Sequence, residues 1–311
     1  MSADRPAAPG LALPIRGLAA ATAYVALPPT AVDARPAGPT RMIVIWPGFD
    51  PPRTAAALAA AVPLTGVPTW RVYLDLPVPD GPPPAGLGSG AFLESGGMEA
   101  YGTAVEQAVG RLPAVLADLR RDLGVPDGPV GLAGFSTGGA VALLALARGV
   151  VPVSTAALVA PVISPGRAAR ALEQRAGRER AWSERARELA DRLDLGTRAP
   201  EIAGRDAALL LIGGAKDRVV PPAEITALRD LLRRCGAAAV EAATFRMGHA
   251  LAAEPGTEPR PPLTEAVRVD GVLGDWFRER LADVAAPAAA TRADLCAVRE
   301  EVTAAGGTGP G

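Results

Sequence analysis

The segment PVGLAGFSTGGAVALLALAR, running from Pro129 to Arg148, decides the fold. Its first part, PVGLAGF, is an unbroken apolar run. A strand covered on both faces reads this way, whereas a half-exposed strand alternates. Its second part, TGGAVALLALAR, is rich in Ala and Leu, the residues that cost least to hold in a helix. Between them, Gly134-Phe135-Ser136-Thr137-Gly138 leaves no room for a loop, so the chain must turn from strand to helix at the serine itself. A serine on so sharp a turn is held in strained backbone geometry, and the flanking glycines remove side chains that would collide. Its hydroxyl then stands above the sheet with a helix N-terminus behind it, where developing negative charge is favoured.

The same reading extends in both directions. Leu11–Arg16 and Ala21–Leu27 read as two short strands of a hairpin, and Arg41–Trp46 (RMIVIW) as a buried strand stopped by Pro47-Gly48. Thr54–Val62 reads as a short helix and Trp70–Leu76 as a strand closed by Pro77. Pro77 to Gly97 is a long Pro/Gly-rich loop, and such loops tend to be functional. Glu99–Leu123 has helical spacing, with Tyr101, Val105, Ala108 and Leu112 on one face and a kink expected at Pro113. After the segment quoted above come strands at Thr155–Ile163, Ala207–Gly213 and Ala239–Phe245, and helices at Ala223–Arg234 and Val272–Val284. Strands alternating with helices require crossover connections. The expected class is therefore α/β, with a mostly parallel central sheet and helices on both faces. One domain over residues 11–285 is expected, with loose ends at 1–10 and 286–311.

Composition narrows the function. Among 311 residues, 49% are hydrophobic and 21% charged, a globular balance. The formal net charge is −1, so the basic excess that nucleic-acid binding needs is missing. Cys235 and Cys296 form no CxxC pair and no Cys/His cluster, so neither a metal site nor a cofactor is expected, and both thiols read as unpaired in a reducing compartment. No apolar run reaches 18 residues, the length a membrane helix requires. Leu18 to Ala26 has some signal-peptide character, but Asp4, Pro6, Pro9 and Pro14 precede it. It reads as a strand and the protein as cytoplasmic.

In a parallel sheet, chemistry gathers at the carboxyl ends of the strands. Ser136 needs a base there, because a serine hydroxyl is a poor nucleophile at its free pKa. The chain holds one histidine, His249, and it follows the strand ending at Phe245. That base needs a carboxylate to fix its tautomer. Asp217 follows the strand AALLLIG in the stretch Gly213-Gly214-Ala215-Lys216-Asp217-Arg218-Val219-Val220-Pro221, and Asp194 is a weaker rival.

These features together, GFSTGG after a strand, GGAKDRVVP and then MGH, resemble the α/β-hydrolase superfamily over about residues 40–285. The resemblance implies Ser136 as nucleophile, Asp217 as acid and His249 as base. It also implies an oxyanion hole of two backbone N–H groups, from Thr137 and from the loop Trp46-Pro47-Gly48-Phe49-Asp50. The superfamily often has His-Gly in that loop. Proline has no N–H, so Phe49 is the expected donor here.

The stretch 166–200 falls where such proteins often carry a helical cap. Trp182, Ala186, Leu189 and Leu193 form one apolar face, while the arginines and glutamates between them make a solvated surface. Trp182, Phe135 and Met247 are candidates to line an acyl pocket, as are Phe49 and Met98. The expected partner is a small-molecule acyl substrate, with hydrolysis of an ester or thioester as the expected reaction. An acyltransferase, or a lyase, isomerase or binding protein on the same scaffold, is the alternative.

Overall fold

The computed structural model describes residues 13–30, 34–77, 90, 92, 96–177 and 181–284. Most of the expected loop from Pro77 to Gly97 therefore lies outside the described residues, as do both expected loose ends. An eight-stranded sheet organises the rest. Strands β1 (Ile15–Ala19), β2 (Thr22–Leu27), β4 (Met42–Trp46), β5 (Trp70–Leu74), β6 (Val130–Phe135), β7 (Val153–Val159), β8 (Ala208–Gly214) and β9 (Val240–Phe245) lie in the order β1-β2-β5-β4-β6-β7-β8-β9. The six strands from β5 to β9 run parallel, and β1 and β2 add antiparallel at one edge. The hairpin turns at Ala20-Ala21, both with positive φ, which sets β1 at Ile15–Ala19 instead of the expected Leu11–Arg16.

Successive strand residues point to opposite faces, and each face is covered by its own helices. On one side Val44, Leu132, Ala156, Leu158, Leu209 and Leu211 join a cluster with α2 (Gly97–Leu123), α3 (Thr137–Arg148) and α7 (Pro222–Arg234). On the other side Ile43, Ile45, Tyr73, Ala133, Leu210 and Ile212 meet α1 (Ala55–Ala61) and α8 (Thr264–Leu281). Every residue of β4 and β6 is buried, as their unbroken apolar runs require. Helix α2 continues through Pro113, and Tyr101, Val105, Ala108 and Leu112 are buried along it. No helix among the described residues is long and apolar enough to cross a membrane.

Further differences from the sequence reading lie at the C-terminal end. Helix α8 starts at Thr264, eight residues earlier than expected, and the final residues form a short strand, β10 (Ala282–Val284), antiparallel to β3 (Ala34–Pro36). The early turns of α8 are mixed in character. Ala266 and Val269 are buried, while Asp270 accepts a hydrogen bond from the Leu64 N–H at 2.7 Å.

Among the described residues, the insert between β7 and β8 contains three helices, α4 (Pro165–Ala176), α5 (Glu184–Arg192) and α6 (Ala199–Ala203). Ala186, Leu189 and Leu193 are buried, as their spacing requires. Leu189 and Leu193 approach Gly102 closely, so α5 packs on the first turns of α2. Helix α4 reaches the carboxyl end of the sheet, where an Arg175 Nη1 donates to the carbonyl of Arg218.

Candidate active site

Ser136 sits between β6 and α3 with φ 52° and ψ −112°, outside the regions that L-residues ordinarily occupy. Its backbone is tied on both sides. The N–H donates to the Val159 carbonyl at 2.9 Å, and its own carbonyl accepts from Ala140 N–H and Val162 N–H, both at 3.1 Å. The turn closes only because the flanking positions lack side chains. A Cβ at Gly134 would lie 2.2 Å from the Gly138 carbonyl oxygen, and one at Gly138 would lie 2.3 Å from the Trp46 carbonyl oxygen. The strain is thus imposed by neighbours that pin this backbone, as in other functional turns.

His249 and Asp217 converge on this serine from the loops after β9 and β8. Two backbone bonds zip those loops together, Ala215 N–H to Phe245 carbonyl at 2.7 Å and Lys216 N–H to Met247 carbonyl at 2.9 Å. Nε2 of His249 lies 2.8 Å from Ser136 Oγ, and Nδ1 lies 2.7 Å from Asp217 Oδ2. The other carboxylate oxygen of Asp217 accepts from Val219 N–H at 2.8 Å and Val220 N–H at 2.9 Å, which leaves Oδ2 aimed at the ring. With Nδ1–H donating to Asp217, the lone pair of Nε2 faces the hydroxyl. All three residues are buried. Asp194 is elsewhere: its carboxylate accepts from Ser164 Oγ at 2.9 Å and from Gly196 N–H at 3.0 Å, within the insert.

The loop after β4 borders the same spot. A Cβ at Gly48 would lie 2.8 Å from Ser136 Cβ, so the backbone preceding Phe49 passes directly beside the serine. The N–H of Thr137 opens α3 and belongs to the first-turn donors that no helical carbonyl takes. The Phe49 ring turns away and meets Tyr101 edge-on, with centroids 6.3 Å apart. Tyr101 is fully buried, its hydroxyl has no hydrogen-bond partner among the described residues, and burial raises its pKa.

Two further residues of this loop went unassigned in the sequence reading. Arg53 is buried and clamps the loop to the segment after His249. Its Nε donates to the Phe49 carbonyl at 2.7 Å, Nη1 to Glu254 Oε2 at 2.8 Å and to the Pro255 carbonyl at 2.7 Å, and Nη2 to Glu254 Oε1 at 3.0 Å. Backbone bonds run alongside, from Arg53 N–H to the Gly256 carbonyl at 2.7 Å and from Leu251 N–H to the Pro51 carbonyl at 2.9 Å. Asp50 places Oδ2 3.5 Å from His249 Nε2. An acidic residue beside the expected oxyanion donor was a visible signal for Asp50. For Arg53 there was none, since its partner Glu254 lies 201 residues away.

The expected pocket residues take varied places. Phe135 is buried, with its ring centroid 5.4 Å from that of His249, so it backs the imidazole. Met247 packs into the core cluster shared with α1 and α8, and its carbonyl rather than its side chain joins the loop after β8 to the loop after β9. Trp182 is half-buried. Its indole N–H donates to Glu173 Oε1 at 2.7 Å, and the Arg170 guanidinium lies 5.7 Å from its ring centre. Glu224, at the start of α7, has its carboxyl pKa raised, first by burial. Arg167 opposes that rise, and Asp194 and Asp217 add to it.

No family model and no curated protein matches the chain. Solved structures do. The chain is similar to a protein of Thermus thermophilus at 20% identity and TM-score 0.56, covering 85% of this chain and 98% of that one. It is similar to a puromycin-hydrolyzing peptidase of Mycobacterium tuberculosis at 16% identity and TM-score 0.58, covering 90% of this chain and 42% of that one. It is also similar to an esterase of Pyrococcus furiosus at 12% identity and TM-score 0.51, covering 86% and 90%. This chain thus spans less than half the length of the peptidase. These likenesses, with the eight-stranded sheet, show that the chain has the α/β-hydrolase fold.

Proposed function

We propose that the protein is a serine hydrolase that cleaves an ester or thioester through an acyl-enzyme on Ser136. The observation that carries this reading is the series Asp217–His249–Ser136, joined at 2.7 and 2.8 Å on a serine held at φ 52° above the strand ends. In this reading Ser136 Oγ attacks the acyl carbon while His249 Nε2 takes the hydroxyl proton. The carbonyl oxygen becomes an oxyanion facing the N–H groups of Phe49 and Thr137. The bond to the leaving group then breaks, and His249 returns the proton to the departing alcohol or thiol. Water repeats the sequence on the acyl-enzyme, releasing the acid and restoring Ser136. Asp217 holds Nδ1–H throughout and balances the imidazolium, remaining ionised itself.

The fold neighbours include an esterase and a peptidase, so the acyl-transfer chemistry is better supported than the choice of leaving group. A fluorophosphonate probe tests the reading. It should label wild-type protein at one equivalent and leave Ser136→Ala unlabelled. Labelling that persists in Ser136→Ala would remove the nucleophile assignment. A panel of p-nitrophenyl esters and acyl thioesters of graded length then defines the acyl group.

A further inference from the structure

We infer that this site favours substrates whose leaving group carries a negative charge, such as a carboxylate, sulfonate or phosphate. The inference rests on the reading of Ser136 as nucleophile and adds a substrate class to it. Its basis is a set of cations on the segments that hold His249 and Asp217. Lys216 and Arg218 stand immediately before and after Asp217, and Arg246 stands three residues before His249; all three are exposed. The two loops are joined where Lys216 N–H donates to the Met247 carbonyl at 2.9 Å, which sets Lys216 against the sequence neighbour of Arg246. A fourth exposed cation, Arg175 of α4, donates through Nη1 to the Arg218 carbonyl. Four positive side chains thus stand on adjoining backbone at the carboxyl end of the sheet.

The neighbouring carboxylates do not cancel them. Among the described residues, none of the four forms an ion pair. Asp217 is 0% exposed and spends its two oxygens on His249, Val219 and Val220. Glu224 already faces a fifth cation, Arg167, at 3.9 Å. Glu173 is buried and accepts from the Trp182 indole, over which Arg170 sits. Glu254 is taken by Arg53. With Asp50 and Asp217 both counted as full negative charges, the four cations still outnumber them. Composition does not explain this excess, because the whole chain has a formal net charge of −1.

Position decides which part of a substrate meets this charge. His249 Nε2 is the atom that returns a proton to the departing group, so the loops carrying His249 and its acid border the leaving side. The loop after β4, with the proposed donor Phe49, borders the oxyanion. Consecutive Cα atoms are about 3.8 Å apart, so Lys216 and Arg218 start one residue from the carboxylate that holds the ring. Their charges therefore act over about 10 Å, comparable with the Debye length of about 8 Å at physiological salt. Exposed cations at this range act by raising the local concentration of an anion and its capture rate, an effect that salt screens.

Two aryl acetates of one skeleton test this. One is 4-acetoxybenzenesulfonate, and the other is its neutral N,N-dimethylsulfonamide. With each, Ser136 Oγ bonds to the acetyl carbon, the C–O bond to the ring breaks, and the phenol departs with the proton from His249. In the full-length protein, kcat/KM for the anion should exceed that for the neutral ester about 10-fold at about 0.01 M ionic strength. The excess should shrink to about twofold at 0.15 M, both ratios being corrected for the rates with hydroxide. In the double variant Lys216→Gln/Arg218→Gln the low-salt ratio should fall to about threefold, because half of the four charges are gone. Any effect on His249 or Asp217 themselves acts on both esters alike and cancels in the ratio. Arg111→Gln is the control for net charge. Arg111 lies on α2 beside Gln107 at 3.1 Å, ten residues or about 15 Å along the helix from Tyr101, and its loss should leave the ratio at the wild-type value. Benzenesulfonate should inhibit the wild type competitively and more strongly than N,N-dimethylbenzenesulfonamide; this arm needs no variant. A low-salt ratio near one, a ratio indifferent to salt, or an equal fall in Arg111→Gln overturns the inference while leaving the nucleophile in place. Failure of both esters to react and of the fluorophosphonate probe to label Ser136 would instead remove the nucleophile reading.

Discussion

Replacing Arg53 with methionine separates the geometry of the loop after β4, which holds the proposed oxyanion donor Phe49, from the rest of the site. The methionine chain fills the buried channel but removes four donated hydrogen bonds, to the Phe49 carbonyl, the Pro255 carbonyl and both oxygens of Glu254, at 2.7, 2.7, 2.8 and 3.0 Å. Hydrogen bonds involving a charged group are worth about 1.5–3 kcal/mol each, but bonds made by one side chain do not add. Removing one partner of a fully buried pair costs about 3–5 kcal/mol. Here Arg53 is 1% exposed and Glu254 is 64% exposed, so the abandoned carboxylate returns to water and the loss shrinks to about 2–3 kcal/mol. At about 2–4 °C per kcal/mol for a domain near this size, Tm should fall by about 4–12 °C. The Phe49 carbonyl also loses its fixed donor, which loosens the Phe49–Asp50 peptide and, through the shared Phe49 Cα, the preceding peptide that carries the Phe49 N–H. Because one oxyanion donor is worth about 10²–10³ in kcat, a donor present only part of the time should cost about 10–100-fold. The assay is calorimetry for Tm, with ester kcat and KM measured well below the transition. Arg53→Lys, which keeps the charge but loses the fork, should fall between the two. If Arg53→Met lowers Tm as stated while kcat stays within twofold of wild type, the clamp is scaffold, and Phe49 is placed by other contacts.

Ser136→Ala and His249→Ala should each lower kcat by ~10⁴-fold or more with Tm nearly unchanged, since members of such a unit act together. Near-wild-type hydrolysis by His249→Ala would refute the mechanism, because the chain has no second histidine. Asp217→Asn should cost ~10²–10⁴-fold, measured as kcat, because the base loses its orienting partner and countercharge. Asp194→Asn should leave kcat within a few-fold and act on stability alone, given that its carboxylate caps Ser164 and Gly196. Trp182→Ala should strand the buried Glu173 carboxylate and lower stability by about 1–3 kcal/mol, read by denaturant titration. A shifted chain-length preference in that variant would instead assign Trp182 to the acyl pocket.

The parts of this molecule that could be read from sequence are those where one local pattern answers to one environment. MIVIW and VGLAGF are buried on both faces and show no alternation, so strand and placement follow together. The turn at Ser136 is legible for the same reason, because Gly134, Ser136 and Gly138 meet their steric constraint within five residues. Strands β3 and β10, three residues each, are too short to carry a period. The start of α8 hides behind small apolar residues mixed with Glu265, Arg268 and Asp270. The site divides along the same line. Ser136, Asp217 and His249 each announce themselves locally by following a strand, and the chemistry demands one of each. Arg53 and Glu254 mean nothing until the loops after β4 and β9 are brought together. Asp50 falls between these cases. Its place beside Phe49 is plain in the chain, but its approach to His249 exists only once the loops after β4 and β9 meet, where backbone bonds join Arg53 to Gly256 and Leu251 to Pro51. The residues proposed to carry the reaction are thus constrained by sequence-local geometry, whereas Arg53, Glu254 and Asp50 are placed by contacts between distant loops. Selectivity in this fold should accordingly be sought in the packing of the loops after β4 and β9, more than in the three residues that the fold presents so plainly.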